Sequence, residues 1–197
     1  MSQIISNAHE SNNPRGRFAL TFGAVLAAIP AAALDLPDPL TEADFIAVDP
    51  DKAAIGQLLF YDKILSGNRN ISCGTCHHHD LGSADALSLG IGEGGEGIGT
   101  DRTPGYDSHM VHERIPRSAP PIWNLGHKGI RTMFHDGRLQ LGDVTGRDYD
   151  SPAEANLPEG LDSLLAVQAL FPMTSGAEMA GGPEENEIGA AVAEGLH

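Results

Sequence analysis

The chain has 197 residues, 41% of them apolar, a length that suits one domain and a composition that can close a single core, so a wholly disordered chain or a fibre is excluded. Twelve Lys and Arg against 27 Asp and Glu give a formal charge of −15, which argues against nucleic acid or an anionic membrane surface as partner, because phosphate contacts need clustered cations. With 24 Gly, 13 Pro and only 5% aromatic residues, short helices joined by long loops are expected rather than a strand-rich sandwich.

Residues 1–33 read as an export signal. Arg15 and Arg17 precede the apolar run Phe18–Ile29, and Pro30-Ala31-Ala32-Ala33 supplies the small residues of a cleavage site, placed near Ala33. The run is shorter than the ~20 residues that span a bilayer and Pro30 interrupts it, so no stable membrane span is expected in the mature chain, residues 34–197, and its place is the periplasm.

Thr41-Glu-Ala-Asp44 is a helix-start signal, and Ala53–Tyr61 carries Ile55, Leu58 and Leu59 at helical spacing. Leu65-Ser66-Gly67-Asn68 reads as a turn and Ile71–His77 as the start of another helix. The glycine-rich stretch Gly82–Gly99 and the Pro, Arg and His-studded stretch Thr100–Pro121 read as long surface loops. Helices are expected again over Leu161–Leu170 and Glu184–Leu196, the second ending with no capping signal, as in a piece of a longer protein. Gly90-x-Gly92-x-x-Gly95 matches a dinucleotide fingerprint in letters only, since no strand precedes it and Glu93 and Glu96 would repel a pyrophosphate.

The two cysteines are Cys73 and Cys76, so no distant pair can clip the fold. With His77 they make the C-x-x-C-H pattern of covalent c-type haem attachment. Two thiols three residues apart lie on one side of a helical turn, where each can add across a different haem vinyl group, and the adjacent imidazole can reach the iron. A thioredoxin-type redox pair would need a βαβ setting, and a zinc site more ligands than the adjacent His78 and His79 offer. The sixth iron position separates an electron carrier from a catalyst, because a second protein ligand favours electron transfer while an open site admits peroxide.

Several further motifs stand in one order: Leu58-Leu-Phe-Tyr-Asp62, Leu65-Ser-Gly67, Ile71-Ser-Cys73 with Cys76-His77, Arg117-Ser-Ala-Pro120 with Asn124, Phe134-His-Asp-Gly-Arg138, then Gln168 and Glu178-Met179. Over residues 52–182 the chain resembles the bacterial di-haem cytochrome c peroxidase and MauG family, at its first, peroxidatic haem domain. The resemblance implies an all-α, cytochrome c-like haem domain over 34–197 and a haem c held by Cys73 and Cys76 with His77 as proximal iron ligand. It also implies that Gln168 and Glu178 line the distal pocket. A carboxylate there can take a proton from one peroxide oxygen and return it to the other, while an amide orients the oxidant. The implied activity is reduction of hydrogen peroxide to water with electrons from a small protein of the cytochrome c or cupredoxin type. The alternatives are MauG-like oxidation of a partner protein and a mono-haem electron carrier, in which Met173 or Met179 would ligate the iron. Arg117 and Arg138 are candidate partners of the haem propionates, or surface salt-bridge residues. Asn124 matches a position associated with an interdomain calcium.

Three departures from the family pattern carry expectations. The loop Leu89–Gly95 has no histidine to block the distal face, so the iron is expected to be open without prior reduction. His135 stands where the family usually has tryptophan before Asp-Gly-Arg. No second C-x-x-C-H occurs, so the electron-entry haem is expected on a missing domain or another protein. His78, His79, His109, His112 and His127 are expected to be solvated or loop-packing, and Trp123 to pack in the core or at the haem edge.

Overall fold

The computed structural model describes residues 36–106, 110–142 and 146–195, and the unit considered below lies within residues 39–197. The export signal and His109 fall outside the described residues.

The chain enters through a single helical turn, Glu42–Asp44, where the Thr41 amide donates to the Asp44 carboxylate at 2.7 Å. Helix α1 spans Pro50–Tyr61, three residues earlier than the apolar spacing suggests. Asp49 caps it, accepting from the amides of Asp51 and Lys52, and Pro50 occupies a first-turn position where a missing N–H costs nothing. Ile55, Leu58 and Leu59 lie on its surface at 60%, 74% and 40% exposure, so the apolar residues that announce the helix are not what buries it. Asp62 stops α1 and caps the turn Lys63–Leu65.

Helix α2 is the single turn Cys73–Cys76. Ser72 and Thr75 fix its start, the Ser72 amide donating to Thr75 Oγ1 at 3.1 Å and the Thr75 amide to the Ser72 carbonyl at 3.0 Å. The expected run Ile71–His77 is shorter because Ile71 is buried as the anchor before the cap and His77 leaves helical geometry with ψ 59°.

An all-α fold is corrected to a helical fold with some strands. Strands β1 (Thr132–Met133), β2 (Leu139–Leu141) and β3 (Tyr149–Asp150) form an antiparallel sheet in the order β1-β2-β3, with Met133 opposite Leu139 and Leu141 opposite Tyr149. Positive φ at Phe134 (61°) and Gly137 (71°) reverses the chain between β1 and β2. Strands of two or three residues carry too little period for a sequence pattern to reveal.

Helix α3, Leu164–Gln168, packs on this sheet. Leu139, Leu164 and Val167 are buried together, with Met133, Phe134 and Phe171 against them. Ser163 caps α3 through the Ala166 amide, which is why the helix begins three residues after the first apolar position. After it comes the wide turn Gly176–Ala180, with the amides of Glu178, Met179 and Ala180 all donating to the Ser175 carbonyl. Helix α4, Glu187–Ala193, is capped by Asn186 and is shorter than the expected Glu184–Leu196, Leu196 lying outside the described residues.

The glycine stretch is the other correction: Gly90–Gly95 is buried, not a surface loop. Among the described residues no helix is long and apolar enough to cross a membrane.

Candidate functional site

His77 follows α2 with its ring held from one side. Its Nδ1 lies 3.0 Å from the Pro120 carbonyl and 3.2 Å from the Ser83 carbonyl. Carbonyls only accept, so Nδ1 carries the proton and Nε2 keeps its lone pair for a metal. Those carbonyls are fixed in turn. Ser83 Oγ accepts from the Ile122 amide at 2.9 Å, and the fully buried Asp85 accepts from the Ala119 amide at 3.3 Å.

Both thiols are half-buried and free. Burial raises the Cys73 thiol above its ordinary value and pushes Cys76 up to about 11, where the negative charges of Asp85 and Glu178 add to burial and Arg102 opposes it. Gly74 between them has no room for a side chain, because an added Cβ would stand 2.5 Å from the Tyr61 ring and 3.3 Å from that of Phe60. Phe60 also lines a cavity of about 440 Å³ together with Phe45, Ile122, Asn124, Leu125 and Gln168. Two free thiols on one turn and an imidazole with its iron-binding nitrogen bare fit a c-type haem, while the largely apolar cavity meets this turn through Phe60 and has neither thiol nor His77 in its lining.

Gln168, the last residue of α3, lines this cavity, and Glu178, expected beside it, does not. Glu178 sits in the wide turn that packs on the glycine loop: a Cβ on Gly92 would stand 1.9 Å from the Ala177 carbonyl oxygen and 3.0 Å from Glu178 Cα. Its charge is felt at Cys76. Asn124 lines the cavity with φ 59°. Arg117 is exposed and contributes its carbonyl to the Gly90 amide. Arg138 pairs with Asp136 at 3.0 Å and stacks over the Phe134 ring at 3.9 Å, the surface salt-bridge alternative. Trp123 is 64% exposed and donates to the Gly82 carbonyl, so core packing is corrected. Met179 is buried, its carbonyl taking the Gly67 amide. His112 pairs with Glu185 at 2.9 Å, and His127 packs edge-on against Phe45.

Two residues not expected at the site, Arg102 and Glu93, organise the glycine loop. Arg102, 5% exposed, donates to the carbonyls of Ile91 (2.7 Å), Gly92 (2.6 Å) and Gly97 (2.8 Å). Burial lowers its pKa, against the neighbouring Cys76, Glu93 and Asp85. Glu93, 4% exposed, accepts from Asn68 (2.8 Å) and Asn70 (2.5 Å), and Asn68 continues to Glu185 at 2.9 Å. The available signal was an arginine soon after a glycine run that carries two acids, Glu93 and Glu96.

A family model described as di-haem cytochrome c peroxidase matches residues 50–195. The methylamine utilization protein MauG of Methylorubrum extorquens is 33% identical over 128 residues, 63% of this chain and 31% of that protein. Cytochrome c551 peroxidase of Pseudomonas aeruginosa is 28% identical over 138 residues, 66% of this chain and 34% of that protein. Cytochrome-c peroxidase IdrP2 of Pseudomonas sp. strain SCT is 29% identical over 149 residues, 72% and 35% respectively. The chain spans about a third of the length of the curated relatives it matches.

Proposed function

The chain belongs to the di-haem cytochrome c peroxidase family, and from that premise we propose that it is the peroxidatic haem module of an exported, periplasmic peroxidase that reduces hydrogen peroxide to water. The observation that carries this reading is the double carbonyl hold on His77 Nδ1 beside two free thiols. Cys73 and Cys76 would hold the macrocycle and His77 Nε2 its iron, and donation of the Nδ1 proton to the Pro120 and Ser83 carbonyls raises the basicity of Nε2. The haem supplies, when bound, an iron at which peroxide can be activated and reduced.

The rest is the work of side chains. Glu178 takes the proton from one peroxide oxygen and delivers it to the other, so that water can leave. Gln168 is neutral at every pH and serves by orienting the oxidant through its amide. Electrons come from a small redox protein of the cytochrome c or cupredoxin type. Oxidation of a partner protein uses the same parts, and the similarity to MauG favours it as a second reading.

Glu178→Gln tests the proton shuttle. A positioned acid–base group contributes about 10²–10⁴-fold, so peroxide reactivity of the haem-loaded protein measured by stopped flow should fall at least a hundredfold. Near-normal reactivity would refute the assignment.

A further inference from the structure

Three tyrosines are present, Tyr61, Tyr106 and Tyr149, and their hydroxyls meet different surroundings. Tyr149 donates to the Leu161 carbonyl, a group that takes no proton near neutral pH. Tyr106 is 72% exposed. Tyr61 alone among the described residues places its phenol on a base, 3.3 Å from Nδ1 of His79. The other ring nitrogen of His79, Nε2, stands 3.6 Å from Asp80 Oδ1. With the ring proton on Nε2, the nitrogen nearer Asp80, Nδ1 accepts the hydrogen bond of the phenol.

The place of this triad matters as much as its order. The Tyr61 ring fills the space where Gly74 has no Cβ, between the two cysteines of the attachment turn, and it meets Phe60 edge-on at 5.1 Å. Phe60 lines the cavity. On its other side Tyr61 is 47% exposed, among Leu58 and Ile64 at 74% and 56%. One aromatic side chain therefore reaches from the attachment turn to solvent. Trp123 is also exposed, but its indole N–H donates to a backbone carbonyl and has no base to receive the proton.

We propose that Tyr61, His79 and Asp80 form a redox relay, in which Tyr61 gives up one electron toward the haem while its phenol proton passes to Nδ1 of His79. This rests on the peroxidatic reading, since hydrogen peroxide is the oxidant. The step leaves a neutral tyrosyl radical and a His79 imidazolium whose Nε2 lies 3.6 Å from Asp80 Oδ1. An external one-electron donor then reduces the radical, and His79 returns the proton. Reduction of one peroxide to two waters takes two electrons and two protons, so the relay turns over twice per peroxide. The proton moves with the electron because a phenol that loses an electron alone becomes a strong acid, and the base already waits on it. Tyr61 is thereby an entry point for electrons that does not require a second haem on this chain.

The holoprotein mixed with one equivalent of hydrogen peroxide, freeze-quenched and read by electron paramagnetic resonance, tests the relay. A tyrosyl radical is expected, retained in Tyr149→Phe and lost in Tyr61→Phe. In His79→Phe its rate of formation should fall about a hundredfold, the low end of what a positioned base supplies. Stopped-flow absorbance reports separately whether the haem reacts. A haem that reacts while Tyr61→Phe keeps the full radical signal overturns the relay and spares the peroxidatic reading. A haem that does not react defeats that reading, and the relay is then read with a photogenerated one-electron oxidant on the same holoprotein. A Tyr61 radical slowed by His79→Phe supports it there, and a radical indifferent to both substitutions overturns it.

Discussion

Arg102→Ala asks how much one buried guanidinium contributes to the glycine loop. Arg102 is 5% exposed and donates to three backbone carbonyls, two of them, Ile91 and Gly92, in buried residues. Hydrogen bonds from a charged donor are worth about 1.5–3 kcal/mol each, so three set a ceiling of roughly 5–9 kcal/mol. Water entering the emptied space satisfies some of the carbonyls, and about 3–5 kcal/mol should remain, the range found when one member of a buried ionic arrangement is removed. For a body of this length that corresponds to a fall in Tm of roughly 6–20 °C. Urea denaturation with an unchanged m-value is the assay. Arg102→Lys keeps the charge but reaches fewer carbonyls and should lose a smaller part. Arg114, an exposed arginine that donates to the carbonyls of Gly90 and Leu89, gives the contrast, since its replacement by alanine should cost under about 1 kcal/mol. A loss at Arg102 no larger than at Arg114 would refute the idea that this guanidinium holds the loop.

The remaining predictions use the same structure in other ways. Gly92→Ala drives a Cβ to 1.9 Å from the Ala177 carbonyl, so it should cost about 1–3 kcal/mol and lower peroxide reactivity by shifting Glu178, whereas Gly56→Ala in α1, with nothing within 4 Å, should stabilise by about 0.5–1 kcal/mol. Burial pushes Glu185 up, but the Gly182 amide, His112 and Asn68 outweigh it and hold its carboxyl below its ordinary 4.5. Its contribution to stability is therefore present above about pH 4.5 and is lost as the pH falls below that, and Glu185→Gln should flatten the acid limb of a stability-against-pH curve. Cys76, pushed up to about 11 from an ordinary 9.0, holds about a hundredfold less thiolate at neutral pH than an ordinary thiol, so iodoacetamide should label the haem-free folded chain about a hundredfold more slowly at Cys76 than the unfolded chain. Equal rates would show that the burial of this thiol is not maintained.

What could be read in advance follows from the range over which each signal acts. The motif over Cys73–His77 was legible because its pattern is local: Cys73, Cys76 and His77 lie within five residues, and no distant partner is needed to recognise it. Gln168 was singled out through resemblance alone, since nothing in its own neighbourhood distinguishes it from an ordinary helix residue. The carbonyls that orient His77 were not legible at all. Pro120 is 43 residues away, and a backbone oxygen has no letter in the sequence. The same holds for the glycine loop, whose burial depends on Arg102 supplying charge to carbonyls that any residue would have offered. Glycine is required there for a different reason, the closeness of Gly92 to the Ala177–Glu178 backbone, so a run that reads as flexible is in fact the contact that sets where Glu178 stands. The apolar face of α1 gives the opposite lesson. Its period was plain and the helix formed, yet Ile55 and Leu58 remain exposed, because periodicity reports that a face can be buried and not what buries it. On that face Tyr61 touches Gly74 and reaches solvent together, which makes the helix a conduit between the attachment turn and whatever meets it from outside.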